Sequence, residues 1–165
     1  MLNIAAFTFT YDHVEDRILL IGNFSNGQQR IDLWLTRKLV LRLLNAAPEL
    51  VSLTSGVVSE AAVNHKLQIA QFHHDQAQHQ ASVQAEQQHV IAQSGSLLTR
   101  LDISHQSGRY RLMFFANTDQ AVAMSILSYE ELHQILHLMH KGAQELDWGV
   151  ASHLFDHSPS STTVQ

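Results

Sequence analysis

His133, His137 and His140 are the residues in this chain whose spacing comes nearest to a chemical motif. Imidazoles four residues apart lie on one helix face and can share a metal ion, and a third at seven extends the same flank. A specific site also needs a ligand from another element and outer partners that orient the rings. The sequence supplies neither, and the trio borders an apolar stripe, so these histidines are expected near solvent. No metal and no other cofactor is assigned. Asp75 and His79 repeat the spacing in the middle of the chain, but their Gln-rich surroundings read as a solvated helix face.

A second set of residues is cationic. Of the 10 Lys and Arg, five (Arg17, Arg30, Arg100, Arg109 and Arg111) fall on expected strands, whereas most acids fall in expected helices and turns. If Arg30, Trp34, Arg109 and Arg111, with Arg17, share one open sheet face, that face combines guanidinium groups with an aromatic ring. Single-stranded nucleic acid uses such a combination for backbone charge and base stacking. In topology alone, repeated strand-rich units with one helix each resemble Pur-type and Whirly-type single-strand binders; none of their signature residues can be matched. The competing reading is that the arginines solvate an exposed antiparallel face. A net charge of −5 further disfavours a nucleic-acid partner, because phosphate binding draws on excess Lys and Arg.

Catalytic motifs are missing from the sequence. There is no phosphate loop, no Gly-x-Ser-x-Gly elbow, no His-Glu-x-x-His and no dinucleotide fingerprint. Cysteine is absent, which excludes disulfides and thiolate chemistry. Asp32 and Asp102 lie beside Arg30 and Arg100 and are expected to form ion pairs across strands. The chain is therefore expected not to be an enzyme.

The elements that would carry these residues follow from periodicity. Residues 2–11 alternate as one strand, with Phe7, Phe9 and Tyr11 on one side, and Asp12 to Asp16 is a polar turn. Strands over 17–24 and 28–35 are joined at Asn26-Gly27, a pair that tolerates the positive φ of a tight hairpin. Thr36 caps a helix to about residue 46, which Pro48 is expected to stop or bend, with Glu49 placed to begin another. Residues 57–93 contain neither Pro nor Gly and read as a long helix rich in Gln, His and Ala, or else as a linker. Strands at 97–103, 109–116 and 120–127 follow, separated by turns at His105 to Gly108 and Asn117 to Asp119. Ser128 and Glu131 make a capping box, and Leu132, Ile135, Leu136, Met139, Ala143 and Leu146 form the buried stripe of a last helix.

The two halves look alike. Phe24, Asn26 and Gln29 pair with Phe115, Asn117 and Gln120; Ile31, Leu33 and Leu35 pair as inward positions with Val122, Met124 and Ile126; and Thr36 pairs with Ser128 after one inserted residue. Ala121, Ala123 and Ser125 then fall on the outer face, where small side chains permit close approach. With Phe7, Phe9 and Tyr11 they imply that part of the outer surface is covered, by the chain itself or by another subunit.

The expected fold is α+β, with two pseudo-symmetric antiparallel strand-strand-strand-helix units joined by a long helical connector. The first unit spans about 2–47, the connector 48–94 and the second unit 96–147, within one domain over 1–157 and a loose tail over 158–165. An apolar share of 45% is enough for a core at 165 residues. No leader and no membrane span is read at the N-terminus or elsewhere, so the expected location is cytoplasmic. The functional expectation is a non-catalytic adaptor or assembly module for a protein partner, with a homodimer left open by the exposed strand edges. Single-stranded nucleic-acid binding is the alternative, and a small-molecule or metal-dependent activity comes last.

Overall fold

The computed structural model describes residues 1–24, 27–54 and 94–155. In chain order these form β1 (Leu2–Asn3), β2 (Phe7–Asp12), β3 (Arg17–Gly22), β4 (Ile31–Thr36), α1 (Arg37–Thr54), β5 (Ser96–Leu97), β6 (Arg100–Gln106), β7 (Arg109–Phe115), β8 (Ala121–Leu127) and α2 (Tyr129–Glu145). The architecture is mixed α+β, with two four-stranded sheets ordered β1-β8-β7-β6 and β2-β3-β4-β5. We call these sheet A and sheet B.

The first strand is not continuous. Its start, β1, lies parallel to β8 in sheet A, and its remainder, β2, is antiparallel to β3 in sheet B. The segment after residue 93 divides in the same way: β5 runs parallel to β4 in sheet B before β6 enters sheet A. Ile4 and Leu98 stand at the two crossings. The Ile4 N–H donates to the Met124 carbonyl and the Leu98 N–H to the Trp34 carbonyl, both at 2.8 Å. Their side chains are buried in the core.

Asn23 fixes the first crossing. It adopts a positive φ of 59°, which Asn tolerates better than most residues. Its side chain accepts from the Ala5 N–H at 2.9 Å and donates to the carbonyls of Asn3 and Gln29 at 2.8 and 3.1 Å. Because Asn23 leaves the ladder, pairing of β3 with β4 ends at Gly22 with Ile31, and residues 23–30 connect the strands. The described pairing thus stops short of the expected hairpin at Asn26-Gly27, of which Asn26 lies outside the described residues. The other expected turns form. Asp12 Oδ1 accepts from the N–H groups of Val14 and Glu15, and Ser107 and Gly108, both at positive φ, close β6 onto β7.

The helices cover the inner faces. Val40, Leu44, Ala47 and Val51 of α1 are buried at helical spacing, and α1 packs on α2 and β4. This stripe continues past Pro48, so α1 runs to Thr54 and does not stop near residue 47. An interior proline costs about 3 kcal/mol. Complete burial of Ala47 and Val51 opposes that cost, since one fully buried valine is worth about 1.5–3 kcal/mol. In α2, Ser128 Oγ accepts from the Glu131 N–H and the Glu131 carboxylate accepts from the Ser128 N–H, the expected capping box. All six expected stripe residues of α2 are buried.

Phe7, Phe9 and Tyr11 face this core, not an outer cover. Phe7 packs on Phe114 at 6.3 Å between ring centroids, and Tyr11 Oη donates to the Leu138 carbonyl. Gly142 leaves the room that the Tyr11 ring fills. Trp148, Leu154 and Phe155 tuck the segment after α2 against the body as expected, with the Trp148 indole N–H donating to Asp16. The expected connector helix and the tail over 158–165 fall outside the described residues, apart from the parts of α1 and of residue 94 that border the former.

The hydrogen bonds of Asn23 make it the polar residue on which the first crossing depends. Asn23→Ala is expected to lower stability by about 2–4 kcal/mol in urea unfolding, as several buried bonds are lost together. Ile126→Ala should cost less than about 1 kcal/mol. A midpoint for Asn23→Ala indistinguishable from that of the parent protein would remove Asn23 from this role.

Candidate interaction surface

Strand β8 positions the surface that stands out. Its buried residues are Ala123, Ser125 and Leu127, whereas Ile126 is 55% exposed and Met124 is partly buried. Of the expected inward set Val122, Met124 and Ile126, the last two are therefore on the opposite face. Small residues at 123 and 125 let the first crossing approach β8 closely: Ser125 Oγ donates to the Ile4 carbonyl at 2.7 Å. Between Phe114 and Phe115 the β7–β8 register shifts, and Val122 packs toward the core beside that irregularity. The bulky apolar residues of β8 that remain, Met124 and Ile126, face outward.

Strand β7 completes the outer face of sheet A. Tyr110, Leu112 and Phe114 are buried, and Arg109, Arg111 and Met113 alternate on the other side. The register sets Met113 beside Met124 and Asp102, and Arg111 beside Ile126 and Ser104. The result is an apolar centre of Met113, Met124 and Ile126 with Arg109 and Arg111 along one end. At the other end Arg100 pairs with Asp102 at 3.3 Å and lies over the Phe115 ring at 3.7 Å, which buries that ring. Arg109 and Arg111 are exposed and form no ion pair among the described residues.

The outer face of sheet B is different. Leu19 and Ile21 are at most 1% exposed although they lie opposite the inward Ile18 and Leu20, and Asp32 is buried. Arg30 holds Asp32 in a two-pronged ion pair, with both N···O distances 2.6 Å. That hydrogen bonding raises the Arg30 pKa further despite burial. Both Asp32 and Asp102 thus pair along their own segment with an arginine two residues earlier, not across strands. Arg17 starts β3 and reaches Glu15 at 3.9 Å, and Trp34 is partly buried in β4 against Gly95. Of the five sequence candidates, Arg109 and Arg111 share a face, Arg17 and Trp34 belong to the other sheet, and Arg30, expected in a strand, lies in the connection just before β4.

The histidine flank serves packing. His133 and His140 are buried, contrary to the expectation of a solvent-facing trio, and His137 is partly buried. His133 packs in tilted contacts on the rings of Tyr129 and Phe155, at 4.2 and 6.2 Å between centroids. Burial, with smaller contributions from Tyr110 and Glu130, pushes the Tyr129 hydroxyl up to about 12. His140 Nε2 bonds the Ala151 carbonyl at 2.9 Å, and Gln144 reaches the carbonyls of Ala151 and Ser152. Among the described residues no three His, Asp or Glu side chains are grouped to hold a metal ion. Asp75 and His79 lie outside them.

A cleft of about 190 Å³ lies between the first crossing and α2, lined by Ala5, Ala6, Phe7, Leu127, Ile135 and Leu138. It is smaller than ordinary small-molecule sites, which start near 300 Å³. Its one carboxylate, Glu131, is committed to the capping box. No helix among the described residues is long and apolar enough to cross a membrane.

Sequence reasoning missed Met113, Met124 and Ile126 as surface residues. The two helix caps held the signal: matching Thr36 to Ser128 without an insertion sets Leu35 against Leu127 and Leu33 against Ser125, which turns Met124 and Ile126 outward. Comparison with protein-family models, curated proteins and solved structures returns no match.

Burial lowers the His140 pKa from its ordinary value of 6.5, outweighing the Ala151 carbonyl, and His153 lowers it further. A depressed folded value means that the unfolded chain binds the proton more readily, so this contribution to stability is intact above 6.5 and declines as pH falls below it. The urea midpoint is expected to fall between pH 7 and 5.5, and His140→Gln should flatten that slope. An identical slope in the variant would show that other groups carry it.

Proposed function

We propose that the protein is a non-catalytic interaction module, an adaptor or assembly component that receives a protein partner on the outer face of sheet A. The observation that carries this reading is the apolar centre of that face, an exposed Ile126 beside the partly buried Met113 and Met124, in a molecule whose other sheet has Leu19, Ile21 and Asp32 buried on its outer face. Exposed apolar side chains gathered on a sheet with a polar rim favour association. Methionine adds adaptability, because its unbranched side chain reshapes to a partner.

The two pseudo-symmetric units joined by a helical connector remain part of this proposal. Each sheet has three antiparallel strands leading into a helix, and each gains a short parallel strand from the chain ahead of the other sheet's three. Ile4 and Leu98 support the same equivalence by their matching bonds and burial. On this reading the copies have diverged in use, one outer face being closed and the other open. We place the protein in the cytoplasm as part of the same reading.

Single-stranded nucleic acid is the second reading, favoured by Arg109 and Arg111 on one face. It is weakened because the aromatic side chains named with them are not exposed on that face: Phe115 is buried and Trp34 lies in the other sheet.

The test is recovery of partners from source-cell lysate with and without nuclease, using the parent protein and Met113→Thr plus Ile126→Thr. Threonine retains strand propensity while removing apolar surface. A recurrent protein that resists nuclease and is lost with the double variant is the expected outcome. Recovery that depends on nucleic acid, or a partner equally retained by the variant, would defeat the assignment to this face.

A further inference from the structure

We infer that the segment received on the outer face of sheet A is acidic and amphipathic, with carboxylates set to meet Arg109 and Arg111 and apolar side chains set on Met113, Met124 and Ile126. This rests on the proposed interaction function and specifies the chemistry of the partner. Three observations lead to it. Arg109 and Arg111 are two residues apart on one strand face, which holds their Cα atoms about 7 Å apart. They form no ion pair among the described residues, whereas Arg17, Arg30 and Arg100 each have a carboxylate partner. The acid on the same face, Asp102, is taken by Arg100.

Charge and apolar surface are therefore separated along β7, with two cations at its start and Met113 farther along. A partner segment that crosses this gradient needs negative charge at one end and apolar groups at the other. Two carboxylates at alternate positions of a strand, or one turn apart on a helix, repeat the arginine spacing. Bidentate guanidinium pairing would then fix register, and the methionines would supply the apolar contact.

A second copy of this chain fits the face poorly. Two-fold pairing presents the same patch from both sides, so each set of arginines would meet its equivalent, the apolar centre or the far end, where among the described residues the carboxylate, Asp102, is already paired with Arg100. Nucleic acid would satisfy the arginines but leave Met113, Met124 and Ile126 without apolar partners.

The experiment measures anisotropy of four labelled probes with the full-length protein. These are a 12-residue peptide with Glu at alternate positions of its first half, Leu at alternate positions of its second half and Ser between them, its Lys/Leu counterpart, its counterpart with Ser in place of Leu and a 12-nucleotide oligothymidylate. The Glu/Leu peptide is expected to bind at least about tenfold more tightly than every other probe. Arg109→Glu plus Arg111→Glu should invert the preference to Lys/Leu, while circular dichroism and the urea midpoint remain those of the parent. Equal binding of the Glu and Lys peptides, tightest binding of the oligonucleotide, or no Glu/Leu binding up to about 1 mM would overturn the inference. If capture of a protein is still lost with Met113→Thr plus Ile126→Thr, only the partner chemistry has failed. If capture is also unaffected, the surface itself has been misassigned.

Discussion

Everything in this fold depends on the two short strands that cross from one sheet to the other. β1 completes sheet A but leads into sheet B, and β5 completes sheet B but leads into sheet A. Neither sheet can acquire all four strands from one continuous stretch. The crossing points are also hydrophobic anchors: Ile4 and Leu98 are buried where the backbone bonds of β1 and β5 continue. A local opening at either crossing would expose core and unpair a strand edge together. That couples the two sheets more tightly than side-chain packing between independent units would.

The crossing explains why the open face looks as it does. Ala123 and Ser125 occupy inward positions where the first crossing passes β8, and Ser125 spends its hydroxyl on the Ile4 carbonyl. With small residues inside, the larger Met124 and Ile126 of the same strand fall outside. Ordinary core logic would have buried the larger pair, since each apolar side chain hidden from water contributes about 1.5–3 kcal/mol. In β8 that gain is given up for close approach and a buried hydrogen bond. The apolar face is a consequence of how the sheets are joined.

Elements defined by local chemistry were legible in the sequence. The Ser128 and Glu131 box, the stripe of α2, the Asp12 turn and the Ser107-Gly108 turn each depend on residues close in the chain. What depended on distant contacts was misread. Alternation over residues 2–11 is unbroken, so nothing local reveals that Ile4 marks a change of sheet. Pro48 reads as a helix end until Val51 is seen to be buried below it. The side-chain parity of β8 follows size in the sequence but follows Ile4 in the fold. The candidate surface was half visible: Arg109 and Arg111 were identified, whereas Met124 and Ile126 were read as inward and Met113 was not singled out.

Arginine itself has two different uses here. Arg30 meets an Asp32 whose side chain is 3% exposed, and its own side chain is 19% exposed. Removing either partner of such a pair would leave a charge with its desolvation cost and no compensation. Arg30 is thus a structural group, and a ligand could take it only by replacing Asp32. Arg109 and Arg111 bear no such obligation, because water already solvates them and an exposed ion pair is worth at most about 1 kcal/mol. Their value to an interface lies less in affinity than in choice of partner. Covered by an apolar or cationic segment they would lose hydration without return, whereas a carboxylate restores what desolvation removes. On the proposed interface the apolar centre would drive contact with many surfaces, and the two arginines beside it would reject those that bring no negative charge.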